Sequence, residues 1–231
     1  MKSGGTLVYD IDVVIATKNS EKYLDRCIRS VYDQTSKPSR VIVVDQASSD
    51  ATRDIARGFA GLELLEQRGI GVPNAWNQGI ESGDSEFVAL IDSDDYWSPN
   101  FLTESMDALS RNGQAEYAVA KVKFTVEGGQ LPPGFRPELV NSERIGWMPG
   151  TTVFRRTVFT KVGLFPEDFT IASDIEWYAR LRQSKVQMQE VPMVGLYKLM
   201  HGSNFSLNKE FAETYRKEIL RVAKNSIKHA D

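Results

Sequence analysis

Between Phe87 and Trp97 the chain reads FVALIDSDDYW, five apolar or small residues followed at once by Asp92, Asp94 and Asp95. A short apolar run bounded by acidic residues predicts a buried strand, and it places three carboxylates together where that strand ends. Carboxylates held within a few ångströms raise one another's pKa, so keeping all three ionised calls for full solvation or a bound cation. Hard oxygen ligands suit Mg²⁺ or Mn²⁺, ions that take substrate phosphates as their remaining ligands. The stretch therefore points to a site for a metal and a diphosphate. The competing reading is a solvated acidic turn ahead of a helix, with Ser98 as N-cap and Pro99 at the first helical position.

What precedes this stretch favours the first reading. Val13 to Ala16 forms a strand ending at Thr17-Lys18-Asn19. Ser20 caps a helix whose apolar positions Tyr23, Leu24, Cys27, Ile28 and Val31 recur at helical spacing. Pro38 breaks the chain, Val41 to Val44 is a second strand running into Asp45, and Ser49-Asp50 opens a short helix. Leu62 to Leu65 gives a third strand, and a helix begins near Pro73. Strand and helix alternate, and the strands are β-branched runs without polar alternation, which predicts a parallel sheet covered on both faces. Ligands of such sheets sit beyond the carboxyl ends of the strands. Thr17, Asp45 and Asp92 each follow an apolar run directly, so they are expected to converge on one edge. No G-x-G-x-x-G follows the first strand and no G-x-x-x-x-G-K-[ST] occurs, which argues against a dinucleotide fold and a P-loop.

The second half changes character. A helix from Pro99 to about Arg111 leads to a strand over Tyr117 to Phe124, then to an irregular loop, Gly128 to Pro137, suited to a lid. A strand at Thr151 to Phe154, a helix from Thr157 to Val162, and a helix opening at Ser173-Asp174 follow. Two short strands, Val186 to Val191 and Val194 to Leu199, precede His201-Gly202-Ser203-Asn204. The tail from Leu207 to Ile227 places Phe211, Tyr215, Ile219, Val222 and Ala223 on one side, an amphipathic helix for the chain itself or for a partner, a homodimer included.

Size and charge bound the rest. The 231 residues suffice for a sizeable core, read as one domain with a first half over 10–98, a second over 99–206 and the helix of 207–231. The net charge of -3 and the lack of a basic run with aromatics exclude a nucleic-acid surface. Cys27 is the one cysteine, so no disulfide forms within the chain, and its helical face makes it a packing residue. No leader pattern and no apolar run near the ~20 residues of a membrane span appear, giving a cytoplasmic expectation with peripheral membrane contact left open.

These segments together resemble the family 2 glycosyltransferases of GT-A fold. VVIATKN resembles that family's first strand and Thr-containing turn, VIVVDQASSD its second strand with the nucleotide-contacting aspartate, and GVPNAWNQGI the helix before its metal motif. LIDSDDYWSP resembles the DXD motif, GLFPEDFTIASDIEWYARL the segment supplying the catalytic base, and HGSNFS a C-terminal His motif. The resemblance implies an α/β GT-A fold with a mostly parallel central sheet flanked by helices and a smaller acceptor side. It also implies a nucleoside-diphosphate sugar as donor, UDP-sugar favoured, and a carbohydrate or lipid-linked carbohydrate as acceptor. By resemblance Thr17, Asn19 and Asp45 face the nucleoside, Asp92 and Ser93 the ribose or sugar, and Asp94 the Mn²⁺ or Mg²⁺, with Asp95 in support. Asp174 is the implied general base. Gln46 stands where a second Asp is frequent, Trp76 where an Arg near the diphosphate is frequent, and Ser173 where Glu often precedes the base.

The chemistry asks for these groups. A divalent ion stabilises the departing diphosphate, and a carboxylate on the far side of the anomeric carbon takes the acceptor's proton, so attack inverts the centre without an enzyme nucleophile. Asp174 also reads as a plain helix cap. His201 reads either as a metal ligand or phosphate donor or as a satisfied turn histidine, and Trp147 and Trp177 as acceptor platforms or packing. The rival functions are a nucleotidyltransferase making a sugar nucleotide and a catalytically silent sugar-nucleotide-binding protein.

Overall fold

The structure is a computed structural model that describes residues 8–133, 135–140, 142–202, 204 and 212–228. Residues 1–7, Gly134 of the expected lid loop, Ser203, Phe205 and Ser206 of the His motif, and Leu207 and Phe211 of the tail lie outside the described residues.

Four apolar runs become parallel strands. β1 (Val8–Thr17) lies between β2 (Lys37–Asp45) and β4 (Phe87–Asp92), and β3 (Leu62–Glu66) flanks β2. Their period-two geometry sorts the side chains. Val13, Ile15, Val41, Val43, Ala89 and Ile91 form one core with α1 (Leu24–Tyr32) and α4 (Phe101–Arg111). Val14, Ala16, Ile42, Val44, Val88 and Leu90 form another with α3 (Val72–Ser82) and α6 (Ser173–Gln183). Both faces are covered, which is why the runs carry no polar alternation. Helix α3 approaches β1 so closely that a Cβ on Gly79 would lie 2.2 Å from Val14 Cγ1.

The sheet continues through the second half in the order β3-β2-β1-β4-β8-β6-β9-β5. Here β8 (Thr152–Arg155) runs antiparallel to β4 and to β6 (Tyr117–Val126), and β9 (Met188–Met200) runs parallel to β6. A two-residue strand, β5 (Tyr96–Trp97), closes the edge against Leu196 and Tyr197, while β7 (Glu143–Ile145) pairs with β6. Between these lie α2 (Thr52–Arg57) and α5 (Thr157–Val162), and α7 (Ala212–Lys228) packs on α6. At the edge opposite the carboxyl ends, fully buried Asp12 accepts from Ser85 N–H (3.1 Å) and Ser85 Oγ (2.8 Å) and pairs with Arg156, a satisfied structural cluster.

Several expectations change. Pro38 sits inside β2, whose first residues are partly exposed. Ser20 does not cap α1 with its side chain; its carbonyl accepts from Tyr23 and Leu24, and its hydroxyl bonds that of Ser93. The Ser98-Pro99 start is absent because the chain spends Tyr96–Trp97 in β5, so α4 begins at Phe101. The two expected short strands are one, β9, with its register shifted between Glu190 and Val194, where Pro192 has no N–H to give. On α7 Glu218 and Val222 are buried, while Tyr215 and Ala223 are exposed, so the packed stripe is rotated from the expected one. Among the described residues, no helix is long and apolar enough to cross a membrane.

Candidate active site

Strand register brings the polar ends together. Thr17 pairs with Asp45 across β1 and β2, and Ala16 pairs with Asp92 across β1 and β4. Beyond them opens a cleft of about 380 Å³ lined by Thr17, Asn19, Gln46, Trp76, Asp92, Ser93, Asp94, Ser173, Asp174, Lys198 and His201. Asn19 adopts φ 46°, a left-handed conformation that asparagine tolerates, and its Oδ1 accepts from Ser49 N–H at 2.9 Å, tying the loops after β1 and β2. Asp45 is fully buried beneath that loop, accepting from the Ser48 N–H (3.1 Å) and hydroxyl; its neighbour Gln46 faces the cleft instead. The Thr17 hydroxyl oxygen and the Trp76 indole nitrogen are buried with no hydrogen-bond partner, two unsatisfied polar atoms on cleft residues. The Trp76 ring rests on Phe165, centroids 5.0 Å apart.

The acidic end carries its own counter-ion. Lys198 of β9 reaches Asp95 Oδ2 at 2.9 Å and Asp92 Oδ2 at 3.3 Å, and Asp95 Oδ1 accepts from Leu199 N–H at 2.9 Å. The sequence reading allowed only solvent or a bound ion for this purpose; the structure adds a third means, a lysine of the chain. Burial nevertheless pushes the Asp95 carboxyl up to about 7, with Lys198 opposing and the charges of Asp94 and Asp92 adding to the rise. Asp94 behaves in the opposite way. Burial raises it, but the His201 hydrogen bond and the Lys198 charge outweigh burial and hold it below its ordinary value. His201 Nε2 and Asn204 Nδ2 approach the same oxygen, Asp94 Oδ2, at 3.0 and 3.1 Å, and the His201 ring stacks on Tyr23 at 4.6 Å.

This donor set fits a divalent ion. One oxygen from each of Asp92, Asp94 and Asp95 can lie within 4.8 Å of the others. Asp94 Oδ2 and His201 Nε2, hydrogen-bonded to each other at 3.0 Å, are an oxygen and a nitrogen that would serve as ligands to such an ion. Asp95 is saturated by Lys198 and Leu199 and is 1% exposed, which leaves Asp92, Asp94 and His201 of this group lining the cleft.

Across the cleft, Asp174 sits in the first turn of α6. Its Oδ1 accepts from Ile175 N–H at 2.8 Å. Burial pushes its carboxyl up to about 6, the Ile175 N–H opposing and the Asp92 charge reinforcing. That value suits a proton acceptor near neutral pH better than a bare cap requires. Of the two tryptophans read as acceptor platforms or packing, Trp177 is fully buried among Phe154, Phe159 and Phe165 and donates to Gly163 O at 2.8 Å, so it is packing. Trp147 is 46% exposed, edge-on to Tyr178. Cys27 is buried, and burial with the charges of Asp95, Asp94 and Asp92 pushes its thiol well up, which leaves it a packing residue.

Lys198 escaped the sequence reading although a signal existed. A lone lysine within the apolar run VGLYKLM must either leave the core or find a carboxylate there. Asn204 was passed over inside the His motif for want of a stated partner.

The chain is similar to known proteins in sequence and in fold. The sequence model of the family described as glycosyl transferase family 2 matches residues 12–173. Glycosyltransferase AglE of Haloferax volcanii is 28% identical over 184 residues, 74% of this chain and 60% of that protein. TarS of Staphylococcus aureus, a poly(ribitol-phosphate) beta-N-acetylglucosaminyltransferase, is 27% identical over 176 residues, 70% of this chain and 30% of that protein. Crystal structures of S. aureus TarS 1-349 superpose with a TM-score of 0.71 in the complex with UDP, at 20% identity over 94% of this chain and 65% of that one. In the complex with UDP-GlcNAc the score is 0.68 at 22% identity over 90% and 64%. These superpositions show the shared α/β fold, the GT-A arrangement expected from the sequence. The chain spans less than two thirds of each of these relatives.

Proposed function

The chain belongs to glycosyl transferase family 2, and on that premise we propose that it is an inverting, Mn²⁺- or Mg²⁺-dependent glycosyltransferase using a UDP-sugar, with UDP-N-acetylglucosamine the first donor to test. The acceptor we assign is a hydroxyl of a glycopolymer or of a lipid-linked carbohydrate. The UDP-sugar choice draws on TarS, solved with UDP-GlcNAc.

One observation carries the reading: Asp94 with His201 on one side of the cleft and Asp174 on the other, with opposite pKa displacements. Environments that push two carboxylates apart give them different tasks. Asp94, kept ionised, and His201 would hold the ion, which when bound stabilises the leaving diphosphate as a Lewis acid. Lys198 pairs with Asp92 and Asp95, so Asp94, bonded by His201 and Asn204, is the carboxylate of the three with no lysine contact to give up to that ion. Thr17, Asn19 and Gln46 line the nucleoside end, Asp45 shapes the loop behind them, and Trp76 with Ser93 walls the sugar. Asp174 accepts the acceptor's proton as its oxygen bonds the anomeric carbon; the bond from that carbon to the diphosphate breaks, and its electron pair leaves with the diphosphate.

The deciding experiment is hydrolysis of a nucleotide-sugar panel with and without Mn²⁺, since water replaces the unknown acceptor. Mn²⁺-dependent release of UDP from one or more UDP-sugars supports the reading. No release from any sugar nucleotide, together with a melting temperature unmoved by UDP plus Mn²⁺, would refute it.

A further inference from the structure

The segment that delivers Asp174 to the cleft is held by a distant part of the chain. Helix α6 has no side-chain cap of its own. Just ahead of it, three successive main-chain N–H groups converge on Glu218 of α7: Thr170 on Oε1 at 2.6 Å, Ile171 and Ala172 on Oε2 at 3.0 and 2.9 Å. Glu218 is only 9% exposed. Successive N–H groups aimed at one carboxylate form an anion nest, and the nearby helix start adds its dipole to the attraction. Two residues of the same helix back it. Arg221 pairs with Asp168 and lies 4.5 Å from the Phe169 ring centroid, and Val222 is buried with Phe169 and Ala172. Thr170 and Ile171 line the cleft beside Asp174.

We propose that Glu218 is a positioning residue for Asp174, through which the C-terminal helix fixes the segment carrying the acceptor-side carboxylate. The inference rests on Asp174 being the base. Among the described residues, Thr17, Asn19, Gln46, Trp76, Ser93 and Asp94 of the donor side lie on or just after β1, β2 and β4 and on α3 and make no hydrogen bond to α7, so loosening the nest acts on proton removal and spares donor binding. A displacement of about 1 Å at a reacting group lowers turnover by about a hundredfold, and a loosened segment samples only part of it.

Glu218→Gln keeps the size of the side chain but offers one acceptor oxygen to three donors. Compared with wild type on UDP-N-acetylglucosamine hydrolysis with Mn²⁺, kcat should fall about tenfold or more while donor KM stays within about twofold. Amide exchange at residues 170–172 should quicken. The acid limb of the rate profile should move below about 6 as water reaches Asp174, a displacement that a purely structural role would not produce. Glu218→Asp, which keeps the charge, should recover part of the rate. If Glu218→Gln does not fold, Arg221→Ala, which removes only the outer contact, decides by the same split of kcat from KM. Unchanged kcat in a folded variant, or losses that merely follow the folded fraction, would overturn the proposal. Failure of the functional reading looks different: wild type then hydrolyses no sugar nucleotide, or Asp174→Asn hydrolyses one as well as wild type, while the exchange measurement still reports whether Glu218 holds the segment.

Discussion

Lys198 Nζ lies 2.9 Å from Asp95 Oδ2, so the amine of one strand is the counter-ion of a turn more than a hundred residues away. The contact exists because β5 pairs with β9, setting Tyr96 opposite Tyr197 and Trp97 opposite Leu196. Burial opposes the charged form of both partners; Asp95 with Asp92 and Asp94 outweighs it for Lys198, whereas Lys198 offsets it only in part for Asp95.

Removing one member of such a pair leaves the other charge uncompensated. Lys198→Met should lower the free energy of unfolding by about 3 kcal/mol, measured by urea denaturation without metal. The double variant Lys198→Met with Asp95→Asn should regain much of that loss. A single-variant loss below about 1 kcal/mol, the range of an exposed pair, would contradict the buried counter-ion.

The aspartates should separate by function. UDP at a hundredfold its Kd stabilises a protein that binds it by about 2.7 kcal/mol. Asp94→Asn and His201→Ala should each abolish the Mn²⁺-dependent part of that gain, and Asp95→Asn should keep it. Calorimetric melting of the variants with UDP, with and without Mn²⁺, reads this directly; loss in Asp95→Asn but not in Asp94→Asn would reverse the assignment.

Rate should follow the state of Asp174. A base must be deprotonated to act, so kcat/KM should climb with pH through about 6 and then level off. Asp174→Asn should lower turnover by about a hundredfold or more with UDP binding retained. A profile flat across that range would remove Asp174 from proton transfer.

Stability should respond to pH in the sense set by Asp95. Its folded pKa, about 7, lies above the ordinary 3.8, so the folded state holds the proton more tightly. The associated stability is complete below 3.8 and is lost as pH rises through about 7, and Asp174 acts in the same sense through about 6. Asp94, held low, acts oppositely, losing its contribution as pH falls below the ordinary range. The metal-free protein should therefore melt at progressively lower temperature from mildly acidic to mildly alkaline pH, and Asp95→Asn should flatten the slope. A wild-type slope of the opposite sign would refute this.

The parallel half was legible because its signals are local. Val13 to Ala16, Val41 to Val44 and Phe87 to Ile91 are β-branched or apolar runs that each end in a polar residue, and parallel register then aligns those ends without further information. Asp174 was singled out by the resemblance of its segment, since a place at a helix start reads equally as a cap; the structure puts it in the cleft. The partner of Asp92 and Asp95 was less legible, because Lys198 meets them only through the sheet order β6-β9-β5, a long-range property of the fold. Pro192 and Gly195 interrupt the β pattern, so a single bulged strand reads as two. On α7 helical periodicity marks an apolar stripe, but it is the unpaired amides of residues 170–172 that turn Glu218 inward at the expense of Tyr215.

The pairing of β5 with β9 also limits how such a protein can be recombined. A chimera that joined residues up to Trp97 to the remainder of a different relative would import a foreign β9, and with it whatever side chain occupies the place of Lys198. Its aspartates would then meet an unmatched neighbour however well the two halves superposed. The interchangeable unit is the acidic turn together with its facing strand, and crossover points belong outside that couple.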